Sequence, residues 1–238
     1  MIGGDGTVNE VVNGVAGTDA EIAVLPCGTG QDFGRTHGIP NRFDDAVRVA
    51  LGGETRTIDL GRVELASGTS RFFANVGSAG MSGSVARRAN SMTKRFGGRA
   101  TFFYALTREF LAWQNTHVVV EVDGGVRREG PMHDVIVANG RYHGGGMKLA
   151  PDARQDDGAF DVVLIGDVTK PDFVTTAPKL YSGGYLSHPK VELLRSPNVT
   201  IEAAEPLPLE VDGEPIGTTP ARFEVVPAAL RLRVPSTA

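Results

Sequence analysis

Apolar residues in the first fifty positions fall into two kinds of spacing. Val8, Val11, Val12 and Val15 recur at intervals of three and four, the pattern that lines one face of an α-helix. Phe43, Ala46, Val47, Ala50 and Leu51 repeat it, and Gly52-Gly53 predicts where that second helix stops. Between them, residues 22–25 form a short continuous apolar run that reads as a strand. A glycine turn precedes the first helix, and a second glycine turn, from Pro26 to Asp32, follows the strand. Alternating helix and strand predict an α/β layer. Only Met1 and Ile2 precede the first turn, too few residues for the strand expected there.

After Thr55 the pattern changes. Runs rich in β-branched and aromatic residues recur at 57–60, 71–76, 117–122, 135–138, 160–165, 190–194, 199–202, 209–211, 223–226 and 230–234. Gly, Pro and Asp separate them, and Asp123-Gly124-Gly125 predicts a hairpin tip. Helical spacing returns only near 100–113 and 170–181. We therefore expect two domains: a partial α/β domain at 1–54 and a mostly antiparallel β domain at 55–238. Whether the last strand or strands return to the first domain is left open.

Composition narrows the function. A net charge of −4 gives no nucleic-acid footprint. The single cysteine, Cys27, rules out an intrachain disulfide and suits a reducing cytoplasm. No apolar run nears the ~20 residues that cross a bilayer as a helix. Charge is uneven, however. From Leu65 to Arg108 there is no Asp or Glu, while Arg71, Arg87, Arg88, Lys94, Arg95, Arg99 and Arg108 all fall there. Such a basic stretch beside the aromatic helix, with Phe102, Phe103, Leu106, Phe110, Leu111 and Trp113, suits either an anionic membrane surface or a solvated rim. For the aromatic face itself, packing on the β domain is the simpler reading.

Two turns carry the candidate chemistry. In Gly3-Gly4-Asp5-Gly6-Thr7 the backbone amides and the helix N-terminus attract phosphate. Asp5 would repel that phosphate unless Mg²⁺ bridges them. Alone, the motif reads first as a capped helix start. Pro26-Cys27-Gly28-Thr29-Gly30-Gln31-Asp32-Phe33 offers a second such turn with a second Asp. Two turns on successive β-α units lie side by side at the strand ends, where α/β folds bind ligands. His143 has no companion at metal-ligand spacing and receives no role.

These residues resemble the catalytic domain of diacylglycerol kinases and related bacterial lipid kinases. The likeness runs from Gly3 through Asn9-Glu10 and Asn13-Gly14, and continues in Pro26–Arg35, where Gln31 stands in place of a frequent Asn. It goes on through Asn75-Val76-Gly77-Ser78-Ala79-Gly80, then Asn139-Gly140 with Gly144-Gly145-Gly146 and Ala150-Pro151. Asp156-Asp157-Gly158-Ala159-Phe160-Asp161 and Asp212-Gly213-Glu214-Pro215 complete the series. The resemblance implies an α/β nucleotide-binding domain of NAD-kinase and diacylglycerol-kinase type, lacking its first strands, followed by an antiparallel β-sandwich that takes the lipid. It implies that Gly4, Asp5, Gly6, Thr7, Val8, Asn9, Glu10 and Thr29 contact ATP. It implies a carboxylate cluster of Asp5, Asp32 and Asp212 linked through Mg²⁺ and water, with Glu214 as proton acceptor. It also implies a second Mg²⁺ at Asp157, with the carbonyls of Arg154 and Ala159. On spacing alone, Asp212-Gly213 reads as a hairpin turn and Asp156-Asp157-Gly158 as an ordinary turn.

The expected activity is transfer of the γ-phosphoryl group of ATP to diacylglycerol or a related lipid, met peripherally at a membrane from the cytoplasm. A homodimer is compatible with it. With the strand and first phosphate turn before Gly3 absent, weak ATP binding or poor folding is expected. The rival readings are an NAD kinase, which Asn9-Glu10 and Asn13-Gly14 argue against, and a non-catalytic remnant, which the retained acidic residues argue against.

Overall fold

A computed structural model describes residues 1–92 and 98–236, with backbone alone for 98–103. Near the N-terminus β1 (Ile2–Gly3) pairs in parallel with β3 (Leu25–Pro26), and the Met1 ammonium donates to Ala23 O. Ile2 thus does form a strand pair, although only two residues long. The expected run at 22–25 divides: β2 (Glu21–Ile22) pairs elsewhere, with the last strand of the chain. Helices α1 (Asp5–Val15), α2 (Asp32–Thr36) and α3 (Phe43–Gly52) complete this part. Val8 and Val12 of α1 are buried as their spacing predicts, but on α3 only Ala46 is fully buried, while Phe43 and Leu51 are exposed.

The rest is built mostly from strands. In chain order they are β4 (Glu54–Leu65), β5 (Ser70–Phe73), β6 (Val76–Gly80), β7 (Thr116–Val122), β8 (Val126–Met132), β9 (Asp134–Ala138), β10 (Tyr142–His143), β11 (Met147–Lys148) and β12 (Phe160–Ile165). Then follow β13 (Val191–Ser196), β14 (Asn198–Ala203), β15 (Pro208–Val211), β16 (Glu214–Thr218) and β17 (Ala221–Val234). One sheet runs β5-β4-β17-β14-β7-β8, with β2 added on β17; the other runs β13-β12-β9-β6-β15-β16 and is antiparallel throughout. Strand β7 shows the period of two plainly: Val118, Val120 and Val122 face the sandwich core and Glu121 faces water. Strands β6 and β9 are buried at every position, because a third layer containing Leu149, Ala150 and Tyr185 covers their outer face. That is why 135–138, within β9, reads as an unbroken apolar run.

Two long strands connect the two cores. Strands β4 and β17 pair along nearly their whole length. Val63, Leu65, Ala221 and Phe223 enter the sandwich core, whereas Ile58, Leu60, Leu230 and Leu232 pack against Val8 and Val12 of α1. The segments at 223–226 and 230–234, separate strands by their spacing, are one strand with a register shift between Val226 and Leu230, where Ala228 has a φ of 53°. The buried carboxylate of Asp59 fixes that bulge, accepting from Ala228 N at 2.8 Å and from Gly158 N at 2.9 Å.

Helix α5 (Gly98–Ala112) lies where helical spacing predicts it; α6 (Lys170–Thr176) is capped by Thr169 and followed by a 3-10 turn at Ala177–Tyr181. The remaining helix, α4 (Met81–Ser91), has no such spacing to announce it, being rich in Ser, Gly and Asn. Met81 and Val85 bury one edge of it against Ala105, Leu106 and Phe110 of α5, so the aromatic face packs on a neighbouring helix first. Gly83 lets α4 lie directly on β15, since a Cβ there would run into the carbonyl of Pro208. Gly83→Ala should therefore destabilise the fold by about 1–3 kcal/mol through overpacking. Gly14→Ala, at a helical site open to solvent, should be neutral or stabilise by up to about 1 kcal/mol. Chemical denaturation of both variants checks the contrast.

Candidate active site

The two glycine turns touch. A Cβ on Gly28 would stand 2.8 Å from the Cα of Gly4, so only glycine permits the approach. Asp5, the first residue of α1, also caps the neighbouring α2, its Oδ1 accepting from Phe33 N at 3.1 Å. A Cβ on Gly30 would lie 2.5 Å from Asp5 Oδ2 and 3.7 Å from Asp32 Oδ2. The two carboxylates thus flank one bare glycine. Asp32 is buried; its Oδ1 accepts from Arg35 Nη1 at 2.6 Å and its Oδ2 from Gly145 N at 2.7 Å. Burial pushes its carboxyl upward, the Gly145 amide pulls it back, and Asp5 pushes it up again. Gln31, just before it, sits at φ 57°, a left-handed conformation that Asn tolerates better than Gln.

The other residues expected at the nucleotide divide by burial. Gly6, Glu10 and Thr29 are exposed, and Gly4 and Thr7 half-exposed, around the turns. Val8 is part of the core, and Asn9 is buried and turned toward the sandwich. These two side chains face away from the turn.

Asp212 lies elsewhere. It opens the two-residue turn between β15 and β16, with φ 50° at Asp212 and 87° at Gly213, so the hairpin reading of Asp212-Gly213 holds as well. Its carboxylate accepts from Asn9 Nδ2 at 3.0 Å, Ala74 N at 2.8 Å, Asn75 N at 2.9 Å and Val76 N at 3.0 Å. Burial pushes its carboxyl upward against these four donors. Those three amides also explain why the run at 71–76 splits into β5 and β6: the chain turns there to present them to Asp212. Among the described residues no three His, Cys, Asp or Glu side chains gather as a metal-holding group. The structure brings Asp5 and Asp32 together and gives Asp212 a full set of protein donors. Glu214, exposed at the start of β16, reaches back over α1: its Oε1 would be 3.9 Å from a Cβ on Gly6, and its Oε2 accepts from Asn90 Nδ2 at 3.2 Å.

Sequence reasoning missed a buried polar chain beside this site. His143 Nε2 is 3.3 Å from Glu210 Oε1, which also accepts from Ser78 Oγ at 2.6 Å, while Gly213 N donates to Glu210 Oε2 at 2.6 Å. Ser78 Oγ is 2.6 Å from Ser82 Oγ, which donates to Asp134 Oδ1 at 2.8 Å. Burial works against the charge on His143, but Glu210, and beyond it Asp32 and Asp212, raise it to about 9. Burial likewise opposes ionisation of Glu210, and His143 and Ser78 outweigh it. The only signal in the sequence was a charged residue, Glu210, inside the apolar run at 209–211.

At the expected second metal site, Arg195 pairs with Asp157 and, from the strand position opposite Asp161, with Asp161 at 3.1 Å. Arg154 donates to Asp156 at 3.1 Å. These side chains fit an ion pair; a divalent cation on Asp157 would have to displace the guanidinium, so no step is derived through one. In the basic segment Arg87 is exposed and Arg88 pairs with Glu109. Lys94 and Arg95, and the side chains of Arg99, Phe102 and Phe103, lie outside the described residues.

The His143–Glu210 pair makes a stability prediction. A folded-state value near 9, above the ordinary 6.5, means that its contribution is full below pH 6.5 and is lost as pH rises through 9. The stability difference between the protein and His143→Phe should therefore shrink by on the order of 2–3 kcal/mol from pH 6 to pH 9.5 in denaturant titrations.

Comparison with known proteins agrees with both halves of this architecture. Residues 1–63 match the diacylglycerol kinase catalytic domain, and residues 75–234 match the YegS C-terminal NAD kinase beta sandwich-like domain. A Pseudomonas aeruginosa protein named "Probable lipid kinase YegS-like" is 37% identical over 98% of this chain and 75% of its own length. A Staphylococcus carnosus diacylglycerol kinase is 33% identical over 94% of this chain and 72% of its own. The crystal structure of a diacylglycerol kinase from Bacillus anthracis superposes with a TM-score of 0.71 at 21% identity, covering 98% of this chain and 74% of that one. Yeast NADH kinase shares the fold more distantly, with a TM-score of 0.55 at 14% identity over 99% of this chain and 60% of that one. No described helix is long and apolar enough to cross a membrane. The α/β turns, the antiparallel sandwich and these matches over both halves place the chain in the diacylglycerol kinase family of lipid kinases.

Proposed function

We propose that this protein transfers the γ-phosphoryl group of ATP to the hydroxyl of diacylglycerol or a closely related lipid. The observation that carries the reading is the position of Glu214 over Gly6 in the first turn of α1, in a chain where more than two hundred residues separate the two. The amides at the start of α1 and the positive end of its dipole favour a phosphate there. The exposed Gly6 and Thr29 and the half-exposed Gly4 and Thr7 leave room for one. Val8 and Asn9 would contribute through their backbone.

Asp32 is taken up by Arg35 and the Gly145 amide, so a hard divalent cation such as Mg²⁺ would be met by Asp5, through the Oδ2 that flanks Gly30. When bound, it would supply neutralising charge for the phosphates. Glu214 accepts the proton of the lipid hydroxyl while that oxygen forms its bond to the γ-phosphorus. The bond from phosphorus to the β,γ-bridging oxygen breaks, ADP leaves, and Glu214 releases its proton to water. Asp212 acts as a positioning residue, holding the turn that carries Glu214. The lipid acceptor rests on the relatives' names and identity; the likeness to NADH kinase supports fold alone. The exposed Tyr104 and Leu111 on α5 and Arg87 on α4 support an approach to lipid from the water side, at a membrane surface.

Glu214→Gln should lower phosphoryl transfer to diacylglycerol by roughly 10²–10⁴-fold, with unfolding unchanged because the side chain is exposed. Asp212→Ala should lose both activity and about 3 kcal/mol of stability, since it leaves several buried donors unpaired. Labelled ATP offered with diacylglycerol or NAD, alongside denaturation curves, measures both; full activity in Glu214→Gln, or transfer to NAD alone, would sink the proposal.

A further inference from the structure

A buried chain of four oxygens starts beside the turn that carries Glu214 and runs to the end of α4. Glu210 Oε1, Ser78 Oγ, Ser82 Oγ and Asp134 Oδ1 follow one another at 2.6, 2.6 and 2.8 Å. Glu210 belongs to β15, Ser78 to β6, Ser82 to α4 and Asp134 to β9. Glu210 and Ser78 are each 1% exposed and Asp134 6%, so protein atoms must supply the hydrogen bonds of both acids.

Three short oxygen–oxygen contacts need three hydrogens. The two serine hydroxyls bring only two. With both acids ionised, each hydroxyl would turn to a carboxylate, and the contact between Ser78 and Ser82 would hold lone pairs alone. One acid therefore carries the third hydrogen, and the other partners decide which. Glu210 Oε2 accepts from Gly213 N at 2.6 Å, and His143 Nε2 stands 3.3 Å from Oε1. Beyond the chain, Asp134 has among the described residues only Ser82 N, 3.0 Å from its Oδ2. Burial raises the Asp134 carboxyl to about 7. Burial opposes ionisation of Glu210 as well, but His143 and Ser78 hold it below its usual range. With the hydrogen on Asp134 every bond points one way, from Asp134 to Ser82 to Ser78 to Glu210. The Ser82–Asp134 bond then runs opposite to the sense that an ionised Asp134 would give it.

The anion at the end of the chain touches both sides of the cleft. The amide it accepts from, Gly213 N, immediately precedes Glu214. The imidazole it pairs with belongs to the β10–β11 hairpin, where Gly145 N donates to Asp32 Oδ2 at 2.7 Å. One carboxylate thus holds the turn of the candidate base and the hairpin that grips the second glycine turn. Asn90, further along α4 than Ser82, senses the result, with its Nδ2 3.2 Å from Glu214 Oε2 and 3.4 Å from Gly213 O.

We propose that Glu210 is the positioning residue that holds the turn carrying Glu214 against the β10–β11 hairpin, while Asp134 keeps the proton of the buried chain. This rests on the reading of Glu214 as the base. Two isosteric substitutions test it. Glu210→Gln leaves one acceptor oxygen for the Gly213, Ser78 and His143 donors. Its kcat with diacylglycerol should fall about tenfold or more, on the scale of a small misplacement of a catalytic group, with KM for ATP unchanged. Asp134→Asn reproduces a protonated acid, with an oxygen for Ser82 N and an N–H for Ser82 Oγ, and should keep kcat within about twofold. In the Glu214→Gln background the loss from Glu210→Gln should vanish, because the positioned group is gone; a general loosening of the fold would lower both backgrounds alike. A second signal needs no turnover. The Asn90 side-chain amide resonances, assigned by their loss in Asn90→Asp, should move in Glu210→Gln and stay in place in Asp134→Asn. Full kcat in Glu210→Gln, an equal loss in both backgrounds, an equal loss in Asp134→Asn, or unmoved Asn90 resonances would overturn the proposal. If the wild type transfers no phosphate to the lipid, or Glu214→Gln is fully active, the reading of Glu214 fails instead, and the Asn90 resonances alone decide whether Glu210 holds the turn. If Glu210→Gln does not fold, Glu210→Asp, which keeps the charge but is one methylene too short to reach both Ser78 and Gly213, is measured in its place with the same outcomes.

Discussion

The carboxylate of Asp212 is where the parts of this protein meet. It sits on the turn between β15 and β16, yet its four donors come from α1 and from the β5–β6 turn, and Asn9 is 203 positions away in the chain. A buried carboxylate is costly unless hydrogen bonds replace its water shell. Here backbone amides supply three of those bonds, so the β5–β6 turn must hold one conformation to provide them. The same contact sets the height of Glu214 over α1, because only Gly213 separates the two acidic residues. One buried charge thus ties the glycine-turn part to the sandwich and positions the candidate base.

A second constraint is the bent ladder of β4 and β17. Each strand is long enough to serve both cores, and a strand so shared must kink to face both. The bulge at Ala228 supplies the kink, and the buried Asp59 satisfies the amides of Ala228 and Gly158 around it. The two cores therefore share backbone as well as side-chain contacts. Rigid-body separation of the two parts would break ladder hydrogen bonds, so any opening of the cleft must come from the loops around it.

Those loops carry an unusual density of charge. The hairpin of β10 and β11 joins two acidic residues of different parts: Gly145 donates to Asp32, and two residues earlier His143 pairs with Glu210. Arg35 clamps Asp32 and lies over the Tyr142 ring at 5.4 Å. The glycines at 144–146, all with positive φ, let the backbone come close enough for the amide of Gly145 to reach a carboxylate. Buried acids here are matched by nearby cations or amide donors, which lets them stand close to one another without mutual expulsion.

The chain's own pattern determined a good deal. Helices α1, α3 and α5 and most sandwich strands follow from spacing, because period and turn chemistry are written within about ten residues of each other. The two glycine turns and their aspartates were legible for the same reason, and so was the resemblance that joined them to Asp212 and Glu214. Only the folded chain decided the rest. Helix α4 and strand β16 carry no periodic signal, since one is held by close backbone packing at Gly83 and the other lies largely exposed at a sheet edge. Two apparent strands became one bulged β17 because Asp59, far from it in sequence, holds the kink. Asp5 and Asp32 meet across Gly30, Asp212 is occupied by four donors, and His143 gains a role beside Glu210. Each of these depends on residues distant in sequence and adjacent in space, and no local window contains both partners.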